Sequence, residues 1–314
     1  LNFSGKVYFD NDSLFSHGST DIIILKYNSS GVLLFSKLIG GTNGEGLAKE
    51  SLAFDSQGGF YLTGSFNGTW TNNSPGYFLV IGNDTLFSST LDIFIAKFDS
   101  NGNSLWAKSY GGTGFDVSHA ICYNGESLFI IGELGADNFA GIPVNYPSGY
   151  FSRCFLAKLD SNGNGKWVRK FGSNDIQSAG VLPKSITCSQ NRVYFTGLAA
   201  SNSQNVFLFD GGPTLTGFNQ VDYFIAAYDT SGNFKWNTIS NSIGSEYIVD
   251  LYSDSNSNLY GVGKLNYTLR FPTDTLYSNG GDDVMVCSYD SSGNFRWAAQ
   301  GGGWGADIGS GIAA

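Results

Sequence analysis

The sequence predicts an all-β fold built from five copies of one four-stranded antiparallel sheet, and three observations predict it. Of 314 residues, 43 are Gly, 25 Phe and 17 Tyr, against 6 Pro and 1 Met. Such a chain is poor material for long helices and good material for short strands joined by tight turns. Five glycines, Gly31, Gly102, Gly163, Gly232 and Gly293, anchor a pattern that returns every 61 to 71 residues. A strand ending in glycine also returns once per anchor: Leu1 to Gly5, Phe60 to Gly64, Leu128 to Gly132, Val193 to Gly197 and Leu259 to Gly263. Disorder is excluded by a hydrophobic share of 41%, and collagen by the lack of a three-residue glycine period.

Four strands, A to D, fit each repeat. Strand A is a short apolar run such as Ser51–Asp55 or Ser185–Cys188. Strand B is the run that ends in glycine. Strand C opens ten residues before the anchor, at Asp21, Asp92, Arg153, Asp222 and Asp283. The turn begins three residues before it, at Asn28, Asp99, Asp160, Asp229 and Asp290, where an Asx side chain and a positive-φ glycine suit a tight reversal. Strand D follows, with Phe35, Trp106, Trp167, Trp236 or Trp297 four residues after the anchor.

Four-stranded sheets repeated about an axis make a β-propeller, which hides sheet edges by radial packing. Residues 1–314 are therefore read as one five-bladed domain. Leu1 begins at strand B without an A partner, and Asp307–Ala314 has the character of strand A without a B partner. Pairing of these N- and C-terminal strands is expected to close the ring. The B–C connections vary in length, and the longest, Ser65 to Leu91, carries Trp70. Such variable loops are where specificity is usually set.

Lys and Arg total 17 against 26 Asp and Glu, a net charge of −9 that argues against nucleic acid or an anionic membrane as partner. No apolar run approaches the length that spans a bilayer, and a start at Leu1 reads as a processed or excised region. Cys122, Cys154, Cys188 and Cys287 form no C-x-x-C pair. Cys122 and Cys154 fall two strands apart in one sheet, roughly 9.6 Å and beyond disulfide reach, so free buried thiols are expected. Seven N-x-S/T sequons, at Asn2, Asn11, Asn28, Asn67, Asn72, Asn83 and Asn266, suit a secreted glycoprotein, although composition alone accounts for nearly as many.

The run from Asp92 to Gly112, D-I-F-I-A-K-F-D-S-N-G-N-S-L-W-A-K-S-Y-G-G, leads through G-x-D into strand A and then Y-x-T-G. It resembles the bacterial SBBP-type β-propeller repeats. The third copy departs from it with Arg153, and the first with Asn28 and Phe35. The resemblance spans essentially the whole chain and implies a secreted or cell-surface repeat protein, without implying a reaction.

Fourteen residues after each anchor stand Glu45, Asp116, Gln177, Glu246 and Asp307. Their carboxylates could ring a channel mouth and hold Ca²⁺ through oxygen ligands. The favoured reading is that each accepts hydrogen bonds from the glycine-rich D–A connection and locks neighbouring blades. The D-S-N-G-N turns lack the remaining ligands of a calcium loop. The motif tryptophans read as packing between repeats. Aromatics outside the repeat pattern, Phe115, Tyr247 and Trp304 in D–A connections and Trp70 in the long loop, are the candidates for stacking on sugars or anchoring a protein loop.

Neither His17 nor His119 sits in a metal-ligand spacing, and no nucleophile elbow or phosphate loop occurs. The expectation is a secreted, non-enzymatic propeller that binds protein or glycan. A second reading is a structural subunit of an extracellular assembly or filament. A third is a five-bladed glycoside hydrolase, which would need an asymmetric pair of carboxylates such as Asp116 and Glu246.

Overall fold

The computed structural model describes residues 1–313 apart from 11, 42, 49, 68–76, 89, 148–150, 174–179, 201–205, 218–220, 241 and 243. All regular structure among the described residues is β, in antiparallel sheets whose main members hold four to six strands. The chain divides into two compact units. One comprises Leu1–Leu128, Leu134–Asn145 and Leu159–Gly165; the other comprises Phe129–Glu133, Tyr146–Lys158 and Lys166–Ala314. The third repeat supplies residues to both.

In the first unit, Asn2–Phe3 pairs with Asp21–Tyr27, which pairs with Leu33–Gly41. These are strands B, C and D of the first repeat. The second repeat runs from Glu45–Gly46 and Leu52–Phe54 through Phe60–Asn67 and Leu91–Phe98 to Ser104–Tyr110. Its long B–C connection is partly a hairpin, Tyr77–Ile81 with Asp84–Ser88, that pairs onto Gly40 and Gly41. An insertion in one repeat thus covers the outer edge of the repeat before it, where unpaired N–H and C=O groups would otherwise invite aggregation. Ile22, Ile39, Phe60, Leu62, Phe66, Leu79 and Phe94 form the core here.

The second unit repeats this plan. Gly180–Cys188, Arg192–Ala200, Val221–Asp229 and Phe234–Ile239 form the fourth repeat. Tyr247–Ser253, Leu259–Leu265, Asp283–Tyr289 and Phe295–Gly301 form the fifth. Again a B–C hairpin, Val206–Phe209 with Leu215–Thr216, adds to strand D of the preceding repeat at Phe171–Ser173. Tyr194, Tyr223, Ile225, Ile248, Leu259 and Met285 lie at the centre of the core.

The five anchor glycines have φ of 77, 75, 78, 83 and 86°, a conformation open to glycine and costly for other residues. Before each, the Asx Oδ1 accepts N–H groups two and four residues on, as Asp99 does from Asn101 and Asn103 at 2.9 and 2.8 Å. Asn28, Asp160, Asp229 and Asp290 do the same. A register shift follows at Lys26/Tyr27, Lys97/Phe98, Ala227/Tyr228 and Ser288/Tyr289. That is the mark of a turn closed by a glycine bulge.

Four of the five motif aromatics pack between repeats, as expected, while Trp297 is exposed and lies against Tyr260 of its own repeat. Phe35 lies against Gly102 and Trp106 against Gly163 in the first unit; Trp167 lies against Gly232 and Trp236 against Gly293 in the second. The indole N–H groups of Trp167 and Trp236 also donate to Thr230 and Ser291 carbonyls in the same neighbouring turns.

Two expectations need correction. Residues 302–313 form no strand, so the tail makes no terminal strand pair. The Asp307 N–H does reach Asp282 O, as Glu246 N–H reaches Val221 O and Glu45 N–H reaches Thr20 O, so the tail enters as a strand A would. It lacks the A–B hairpin that would bring a partner alongside, and its glycines favour an irregular path. The cysteines are also not uniformly free: Cys122 and Cys188 are disulfide-bonded, while Cys154 and Cys287 are free and buried. Strand spacing within one sheet does not bear on Cys122 and Cys188, which lie in the A strands of successive repeats, at or near their ends.

Candidate functional site

The acidic residues at the entrance to strand A are buried at Glu45, Asp116 and Glu246 and half-buried at Asp307; Gln177 lies outside the described residues. Each of the four accepts a hydrogen bond from its D–A connection. Asp116 accepts N–H groups of Gly112 at 3.1 Å, Gly135 at 2.8 Å and Ala136 at 3.1 Å. Asp307 accepts Gly303 N–H at 2.9 Å. Glu246 accepts the Ser242 hydroxyl, and Glu45 the Gly41 N–H.

Sequence reasoning missed their partners. The aspartate that opens strand C lies beside the entrance acid in the pairs Asp21/Glu45, Asp92/Asp116 and Asp222/Glu246; in the fifth repeat Asp283 and Asp307 hold the equivalent positions, against the consecutive glycines Gly302 and Gly303. A side chain on Gly111 would overlap both Asp92 Oδ1 and Asp116 Oδ2, which places these two oxygens side by side. Asp21 accepts His17 and Gly18 N–H groups at 2.8 and 3.2 Å, and Asp283 accepts Asn279 N–H at 2.9 Å. A signal was present: the third repeat alone replaces both members at once, with Arg153 and Gln177.

Juxtaposed buried carboxyls hold protons tightly. Burial, reinforced by the Asp21 charge, pushes Glu45 up to about 8. Burial and then the Asp116 charge push Asp92 up to about 6. Glu246 is raised to about 7 by burial, against the Ser242 hydrogen bond and with the Asp222 charge adding to the rise. No group of three or more His, Cys, Asp or Glu side chains among the described residues is arranged around a metal position.

Of the aromatic candidates, Trp304 is 96% exposed and Phe115 65% exposed. Tyr247 is half-buried with Lys264 Nζ 4.9 Å from its ring centre, so its face is occupied. Trp70 lies outside the described residues.

A third feature is a groove that recurs between a D strand, the hairpin on its edge and the next C–D turn. Lys37, Asn83 and Asn103 line the first, of about 660 Å³. Lys108, Asn138 and Asn164 line the second, of about 410 Å³, and Arg169, Asp210 and Asn233 the third, of about 530 Å³. Lys108 Nζ donates to Asn162 O at 2.7 Å and Arg169 Nε to Gly232 O at 2.6 Å, each bracing the next turn. No helix among the described residues is long and apolar enough to cross a membrane.

No protein-family model matches the chain. Over 166 residues, 51% of its length, it is 30% identical to the regulatory protein FlaEY of Caulobacter vibrioides, covering 17% of that protein. Over 169 residues, 49% of its length, it is 25% identical to an uncharacterized WD repeat-containing protein, L264, of Acanthamoeba polyphaga mimivirus, covering 12% of it. The chain thus spans less than a fifth of either relative. A repeated all-β architecture with similarity to a WD repeat protein is β-propeller-like.

Proposed function

We propose that the chain is a five-bladed β-propeller of the SBBP type that acts outside the cell as a non-enzymatic recognition module for glycan or protein. The single observation that carries this reading is the exposure of Trp304 and Phe115, at 96% and 65%, on glycine-rich connections whose N–H groups are held by the carboxylates of Asp307 and Asp116. Large aromatic faces left in water on a rigid support are suited to stacking on sugar rings or filling a partner's pocket. The disulfide-bonded Cys122 and Cys188 support an oxidising compartment. The absence of enzymatic activity is supported by the recurrence of the acids in equivalent settings, where they accept backbone N–H groups instead of facing a cleft as an asymmetric pair.

Screening the full chain against immobilised glycans, alongside Trp304→Ala and Phe115→Ala, tests the reading. Binding to a defined sugar class should weaken by about tenfold or more in at least one variant, the scale of one lost aromatic anchor. Binding that is unchanged in both variants would move recognition elsewhere, and a flat array would remove the glycan form of the proposal.

A further inference from the structure

The four carboxylate pairs carry more negative charge into the protein than their surroundings repay. Asp21, Asp116, Asp222, Glu246 and Asp283 have no exposed surface, and Glu45 has 3%. No Lys or Arg among the described residues forms an ion pair with Glu45, Asp92, Asp116, Glu246 or Asp283. One carboxylate oxygen is left buried and without a hydrogen-bond partner in three of the pairs: Glu45 Oε2, Glu246 Oε1 and Asp283 Oδ1. A buried, unpaired charged oxygen is costly, and one that occurs at the entrance acid in two repeats and at the strand-C aspartate in a third calls for a missing partner.

A proton on one carboxyl of a pair would remove a single charge; a divalent cation would balance both carboxylates and give the unpartnered oxygen a ligand.

We propose that the pairs Asp21/Glu45, Asp222/Glu246 and Asp283/Asp307 each bind a hard divalent cation, with Ca²⁺ as the best match. An all-oxygen donor set and two carboxylates to balance two charges suit Ca²⁺; Mg²⁺ demands stricter octahedral geometry, and transition metals favour nitrogen or sulfur. Water completes the shell. The Asp92/Asp116 pair, none of whose oxygens is left buried without a partner, is the weakest member of the set. Because the connection that leads to Asp307 carries Trp304, bound Ca²⁺ would also stiffen the segment that presents it, but the sites stand whether or not that aromatic binds anything.

The test uses the full chain, stripped with chelator and dialysed, at fixed pH and ionic strength. Equilibrium dialysis with Ca²⁺ alone, at concentrations up to about 5 mM to cover the weak range of extracellular sites, should reach at least three equivalents. The melting temperature should rise by roughly 2–4 °C per occupied site, and K⁺ at matched ionic strength should leave it unchanged. Glu45→Gln, Glu246→Gln and Asp283→Asn should each remove one equivalent. Should a variant fail to fold, the wild-type stoichiometry still decides. Fewer than one equivalent bound, no thermal response to Ca²⁺, or folded variants that bind as much as wild type would overturn the proposal.

Discussion

At the scale of single residues, the most informative contact is that between a motif aromatic and the next anchor glycine. The glycine is required twice over at Gly293: its φ is 86°, and a methyl group there would meet the Trp236 ring at 2.6 Å. One position therefore serves both the turn of its own repeat and the packing of the one before. Gly293→Ala should destabilise the chain by roughly 1–3 kcal/mol from backbone strain and overlap. Trp236→Ala should cost about 2–3 kcal/mol, less than the loss of a fully buried indole. Since both substitutions act on one contact, the double variant should fall short of the sum. Urea unfolding of the four proteins measures this, and strict additivity would show that the two residues act separately. The anchors and aromatics are legible in the sequence because five copies expose them against a varying background. The carboxylate partners are not: Asp21 and Glu45 stand far apart in the chain, and only the D–A reversal brings them together.

At the scale of the element, the C–D hairpin is specified almost entirely by local chemistry. An Asx oxygen caps two N–H groups, a glycine takes the positive φ, and the strands follow in register. At Asp229, partial burial raises the carboxyl, but hydrogen bonds from Lys235 and Asn233 outweigh it and hold the group down at about 2. A carboxylate held below its ordinary value contributes stability that is present above about pH 4 and is lost as pH falls through the folded value. Lys235 Nζ stands 2.8 Å from it near the surface, so the pair is worth under about 1 kcal/mol. Asp229→Asn keeps the Oδ1 acceptor and removes the charge. The urea midpoints of wild type and this variant should differ slightly at neutral pH and converge near pH 2; a gap that persists unchanged in acid would show that the charge is irrelevant. The B–C hairpins are the opposite case. Their strand character could be read locally, but pairing onto the preceding repeat's D strand is a tertiary event that no local pattern encodes.

At the scale of the whole molecule, repetition makes the sheet count and strand order readable, and the ends and the cysteines resist because each occurs once. Asp307 enters like any strand-A acid, yet repetition cannot say whether an unpaired tail becomes a strand. The cysteines resist for a related reason: distance within a sheet excludes one pairing but says nothing of A strands in successive repeats. The resulting redox pattern is open to a direct count. Of four cysteines, Cys154 and Cys287 are free, with their thiols pushed up by complete burial, Cys287 to about 12. Buried thiols of this kind react slowly with thiol reagents while the chain is folded. Native protein should therefore show almost no reactive thiol, denaturant alone should release two, and denaturant with prior reduction should release four. Reduction should also lower stability by about 2–4 kcal/mol, and Cys122→Ser should reproduce that loss while making the protein indifferent to further reductant. Four thiols released by denaturant without reductant would mean that Cys122 and Cys188 are free, and would withdraw with them the structural support for an oxidising compartment.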